Sequence, residues 1–266
     1  MVRIFIALTF VVTCSFAKVY YAKVEPFELR NISSSVAGLV ISADENLVGT
    51  KLSSSAFVVI DSEVDREELG YIQSKIISIK EIIKVNESVL LNLSDTLSKK
   101  RENYKKVEGL KFKSTVEKDK EFYDLVSNEN LYLSTKKEIE NLKIQISDMK
   151  LREVQLQRTL RDKKISAKGF TLYELLVKSG QVVGISTPIA KVADVSKAKL
   201  TLYLDEADVA NAKQKVIYID GIKTSYKISR LLSIADGKNI SKYMAQIVIE
   251  SPKLFSKLVK VEVEDK

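Results

Sequence analysis

The chain has 266 residues, 43 basic against 35 acidic side chains, no His, no Trp, one Cys, nine Gly and three Pro. Without His there can be no Ser/His/Asp or Cys/His nucleophile, no His-ligated metal, and none of the side chain that most often moves protons near neutral pH. An apolar fraction of 45% with 29% charge belongs to a folded chain long enough for one large or two to three small domains.

Residues 1–17 have the pattern of an export signal. Arg3 gives a basic start, Ile4 to Val12 are nearly all apolar, and Ser15-Phe16-Ala17 places small residues where a signal peptidase cuts. The alternative is a retained anchor, although the apolar run is shorter than the roughly 20 residues that span a bilayer. Cys14 follows Val11-Val12-Thr13, which lacks the Leu and the small residue expected ahead of a lipidated Cys. Cleavage after Ala17 would leave a mature chain with neither Cys nor His, expected outside the cytoplasm without a disulfide.

Residues 18–62 alternate apolar and polar side chains, as strands do. Residues 63–164 differ: between Asp65 and Lys163 the only glycines are Gly70 and Gly109, and there is no proline. Leu69, Ile72, Ile76, Ile79, Ile83, Leu90, Leu93, Leu97, Tyr104 and Val107 fall on one heptad seam, with Asn86 and Lys100 as polar exceptions. Leu125, Tyr132, Ile139, Leu142, Ile146, Met149, Leu156 and Leu160 form a second. Gly109 lies between them, and Ser114-Thr115-Val116-Glu117 is a capping box. The pattern predicts two helices of about 45 residues, each roughly 65 to 70 Å long, folded back on one another with a tip near 109–114.

Strand alternation resumes over 165–194 and 195–266, as in Leu200-Thr201-Leu202-Tyr203-Leu204 and Val259-Lys260-Val261-Glu262-Val263. Gly38, Gly49, Leu52, Ser55 and Val58 match Gly169, Gly180, Val183, Ser186 and Ile189 at a constant offset of 131, one copy on each side of the helices. This predicts two strand-turn-strand half-units, with Gly49 and Gly180 supplying the positive φ of a tight turn.

Chemistry is sparse. Two Met and no Cys or His in the mature chain make no soft-metal site. Gly180-Gln181-Val182-Val183-Gly184 lacks the Lys-Ser/Thr of a phosphate loop. Asp61-Ser62 runs straight into helix, leaving no turn for a carrier lysine. Asp205, Glu206 and Asp208 are expected to start a short solvated helix from Glu206 to Lys213 rather than to do acid/base work. No cofactor is expected, and an export signal with no aromatic and basic stripe argues against nucleic acid.

Two β half-units split by a long helical hairpin, followed by an all-β segment, resemble the periplasmic adaptor proteins, also called membrane fusion or HlyD-like proteins. The similarity includes Ile165-Ser166-Ala167-Lys168-Gly169 at the start of the second half, and the tip residues Tyr104, Val107, Gly109, Phe112, Ser114, Glu117 and Asp119. It implies an α+β fold: a long antiparallel α-helical coiled-coil hairpin inserted in a split lipoyl-like β-sandwich, followed by a small β-barrel. It also implies a non-enzymatic adaptor in the periplasm, at the inner membrane of a Gram-negative bacterium. Its partners would be an inner-membrane transporter of the resistance-nodulation-division or ABC type, a TolC-like outer-membrane duct, and further copies in a ring. The implied docking residues are Asn103, Tyr104, Val107, Gly109, Phe112 and Ser114, with Asn103 standing where the family pattern has Arg. From Lys99 to Lys120 nine Lys or Arg face four Asp or Glu. Two explanations of the tip stay open: partner docking, or hairpin architecture alone in a self-assembling periplasmic scaffold without a transporter.

Overall fold

The computed structural model describes residues 18–235 and 241–264. The expected signal at 1–17, with Cys14, lies outside the described residues. In chain order the elements are β1 (Lys18–Ser33), β2 (Gly38–Ala43), β3 (Val58–Ile60), α1 (Glu63–Glu108), α2 (Thr115–Asp162), β4 (Lys164–Ile165), β5 (Thr171–Leu175), β6 (Val182–Val183) and β7 (Pro188–Asp205). There follow α3 (Glu206–Val209), β8 (Val216–Ile219), β9 (Ile222–Thr224), β10 (Ile228–Ala235), β11 (Lys242–Glu250) and β12 (Leu258–Glu264).

The two half-units interleave. Gly49 N–H donates to the Leu172 carbonyl and Gly180 N–H to Val40, both at 2.8 Å, so the turn of each half closes on the strand of the other. Both glycines have the expected positive φ, +83° and +86°. Val40, Phe57, Val58, Ile60, Leu172 and Ile189 fill the shared core.

The repeat is real, but its register is corrected. Val40 pairs with Ile60, Ser42 with Val59 and Ala43 with Val58; the second half repeats this as Leu172 with Val192, Glu174 with Lys191 and Leu175 with Ala190, including the same bulge. These pairs are offset by 132 residues (172 − 40), whereas the Gly49/Gly180 turns are offset by 131 (180 − 49). Gly38 therefore corresponds to Phe170, not to Gly169. The two glycines serve different ends: a Cβ on Gly38 would lie 2.6 Å from Ile60 Cγ2, whereas Gly169 turns the chain at φ +91°.

Helices α1 and α2 pack antiparallel along the seam. Ile72, Ile76, Ile79 and Ile83 are buried against Ile139, Leu142, Ile146 and Leu156 in the half nearest the strands. Glu68 accepts two hydrogen bonds from Arg152 at 2.8 and 3.0 Å, and Lys163 pairs with Asp65. Toward the tip, ion pairs from Lys100 to Asp124 (2.8 Å) and Arg101 to Glu129 (2.6 Å) join buried Leu97 in holding the helices together.

The C-terminal strands form a ladder in the order β10-β11-β7-β1-β12-β8-β9. Leu200, Leu202, Leu204, Ile217, Ala245, Ile247 and Val261 are its buried face, as strand alternation requires. Two features depart from expectation. The outer strands β9 and β10 are not paired with one another, so among the described residues the expected closed barrel is an open sheet; β9 is three residues long, and β10 is broken by two register shifts against β11. Strand β1 is also shared: Lys18–Lys23 pair with β12, Val24–Ser33 pair with β7, and Tyr20, Ala22 and Val24 enter the C-terminal core. Residues 18–62 are thus not one packing unit.

The expected helix from Glu206 to Lys213 is broken. α3 stops at Val209, Asn211 is left-handed at φ +55°, and a single 3-10 turn covers Ala212–Gln214. Asp208 is not a solvated carboxylate either: it accepts from the Tyr20 hydroxyl at 2.5 Å and pairs with buried Lys215 at 3.3 Å. Burial, the largest influence, opposes its charge, but the hydrogen bonds from Tyr20 and Lys215 together with the ammonium charges of Lys215 and Lys18 outweigh it and hold its carboxyl below the usual range.

Candidate docking site at the hairpin tip

The tip is built by two helix ends. Ser114 caps α2: its Oγ accepts from Glu117 N–H (3.3 Å), and Glu117 Oε2 accepts from Ser114 N–H (3.0 Å), closing the box written in the sequence. Lys113 pairs with the same carboxylate at 2.9 Å. That ammonium first, then the Ser114 amide and hydroxyl, pulls the Glu117 carboxyl down to about 2. The end of α1 is closed from the other side, where Lys118 Nζ donates to the Glu108 carbonyl at 3.0 Å. Gly109 keeps right-handed backbone at φ −77°, so it stops the helix through low helical propensity rather than a left-handed cap.

The six expected docking residues divide by environment. Tyr104 is half-buried, its ring 5.7 Å from that of Phe122 across the hairpin. Val107 is half-buried and Ser114 is engaged in the cap. Asn103 and Gly109 are exposed. Phe112 stands 80% exposed in the connecting loop, with no packing role to account for a ring there. Val116, missed in the sequence, is 77% exposed beside it. Its signal was available: it is an apolar residue in the first turn of α2 that lies off the heptad seam.

Charge surrounds this apolar end. Lys106 pairs with Glu102 at 2.6 Å, while among the described residues Lys105 and Lys111 make no ion pair. The site offers apolar contact rimmed by cations; among the described residues no three His, Cys, Asp or Glu are grouped to hold a metal ion. No helix among them is long and apolar enough to cross a membrane.

The sequence matches no family model and no curated protein. Its fold is similar to solved membrane fusion proteins. MacA from Actinobacillus actinomycetemcomitans superposes with a TM-score of 0.70 at 18% identity, over 93% of this chain and 78% of that one. The membrane fusion protein Spr0693 from Streptococcus pneumoniae R6 gives 0.57 at 15% identity, over 94% and 100%. A MacA-MexA chimeric protein containing the Pseudomonas aeruginosa MexA alpha-hairpin domain gives 0.56 at 17% identity, over 93% and 81%. The chain has the mixed helix and sheet fold of these proteins.

Proposed function

We propose that this protein is a non-catalytic periplasmic adaptor, bridging an inner-membrane transporter to a TolC-like outer-membrane duct for efflux or secretion. The likeness to membrane fusion folds supports an adaptor. The observation that carries the docking role is the exposed Phe112 and Val116 at the end of two helices of 46 and 48 residues, which project about 70 Å at 1.5 Å per residue. Exposed apolar residues clustered with cations, at the point furthest from the strands, are a surface for a partner.

In this reading the tip residues share the work. Phe112, Val116 and Asn103 meet the duct, with Lys105 and Lys111 steering its approach. Tyr104, Val107, Gly109 and Ser114 set the shape that presents them. The β-rich end contacts the transporter, and copies stand side by side in a ring. The adaptor does no chemistry: association holds a conduit closed while the transporter supplies the work.

A photoreactive residue at position 112, irradiated in cells, should capture an outer-membrane duct protein. Capture of this chain alone would replace the adaptor with a self-assembling scaffold.

A further inference from the structure

A second feature of the molecule lies far from the tip, where β1 passes from one core to the other. Pro26 has no N–H to give the ladder, and there the pairing with β7 slips: Pro26 faces Ala198, but Glu28 faces Asp194. Residues 195–197 of β7 therefore bulge, and Asp194 secures the bulge by accepting from Ser196 N–H at 2.9 Å. The slip opens a groove of about 510 Å³, within the range of pockets that enclose a whole small ligand. Its apolar walls are Pro26, Leu29, Ala193, Val195 and Phe255. Phe255 is delivered by a loop pinned to β1, with Ser256 at φ +66° donating its N–H to the Val24 carbonyl at 2.7 Å. Leu29 and Tyr173 border the groove while 50% and 60% exposed, more than their packing against either core requires.

The polar groups at this groove are unequal. Glu25 accepts from Thr201 at 3.4 Å, and nearby Glu28 is held by Arg30 at 2.5 and 2.8 Å. Lys23 and Lys199 also line the groove, and among the described residues neither is held in an ion pair. Glu25 lines the groove as well and faces Lys199 across the β1–β7 ladder, so the three charges leave the apolar trough with one net positive charge, complementary to a small amphiphile bearing one negative charge. A peptide strand is disfavoured, because β7 is flanked by β1 on one side and by β5 and β11 on the other, and Pro26 with its register slip interrupts the edge of β1.

We propose that this groove binds a small soluble amphipathic anion, with its acid group between Lys23 and Lys199 and its apolar body against Leu29, Val195 and Phe255. The site is independent of tip docking. The whole chain would be titrated with 8-anilinonaphthalene-1-sulfonate, whose emission rises on transfer to an apolar site. One saturable site is expected. Its affinity should fall at least tenfold in the Lys23→Glu/Lys199→Glu variant and in Leu29→Glu, and stay unchanged in Ile77→Ser, where a similarly exposed apolar side chain lies on α1. Circular dichroism identical to the parent would show that the variants fold. Non-saturating emission, or a saturable site indifferent to the groove variants, would overturn the proposal. Equal binding of the uncharged N-phenyl-1-naphthylamine by parent and lysine variants, with no preference for the sulfonate, would overturn its anionic part.

Discussion

At the tip, one carboxylate is asked to do three things. Glu117 accepts from Ser114, closes the first turn of α2 and neutralises Lys113. Because its folded pKa is depressed, to about 2 against an ordinary 4.5, the cap contributes fully above the ordinary value and is lost as the pH falls from there through about 2. The first turn of α2 should thus loosen between roughly pH 5 and pH 2, with the Glu117 carboxyl titrating far below its usual range in a ¹³C NMR titration. Lys113→Ala removes the largest cause and should move that titration upward, while Glu117→Gln should abolish the acid loosening. A carboxyl titrating at its ordinary value would show that the box stands open in solution. This cap was legible because its chemistry is local: Ser and Glu three residues apart determine it. Asp208 was not legible. Its partner Tyr20 is 188 residues away, and only the fold brings that hydroxyl to it.

Each helix of the hairpin is likewise largely written in its own spacing. The isoleucines at 72, 76, 79 and 83 are buried as the heptad predicts, and the polar exception Lys100 is explained by its pair with Asp124. The change of character along the seam follows: aliphatic near the strands, more ionic toward the tip. Since exposed ion pairs are worth about 0 to 1 kcal/mol each, stability concentrates at the base. Ile79→Ala, at a 6% exposed seam position, should cost about 2 to 4 kcal/mol. Ile77→Ala, two residues away and 62% exposed, should cost less than about 0.5 kcal/mol. Urea denaturation followed at 222 nm separates the two, and equal costs would mean that the seam does not face α2. What spacing could not supply was the register of the repeat. Matching glycines invited a uniform offset, but the ladders are fixed by backbone hydrogen bonds, which tolerate one residue more in the strands than in the turns.

The whole molecule is joined by a strand whose sequence does not announce it. β1 alternates like any other strand, and periodicity says nothing about which sheet a strand enters. Its first residues complete the C-terminal core: Ala22 is 1% exposed and faces Val259 of β12 from 237 positions away (259 − 22). Its later residues pair with β7 beside the core of the half-units. The two β cores therefore share one backbone, with the Pro26 slip between them. A charge placed at Ala22 would be buried without a partner, at a cost exceeding that of a typical core truncation. Ala22→Asp should consequently unfold the C-terminal sheet, although the substitution lies at the opposite end of the chain. The hairpin, which has its own seam, should keep its helical signal at 222 nm. Limited proteolysis should then cleave within residues 206–264 while a fragment containing α1 and α2 survives. Simultaneous loss of the helices would instead make the three cores one cooperative unit, with β1 as the element that couples them.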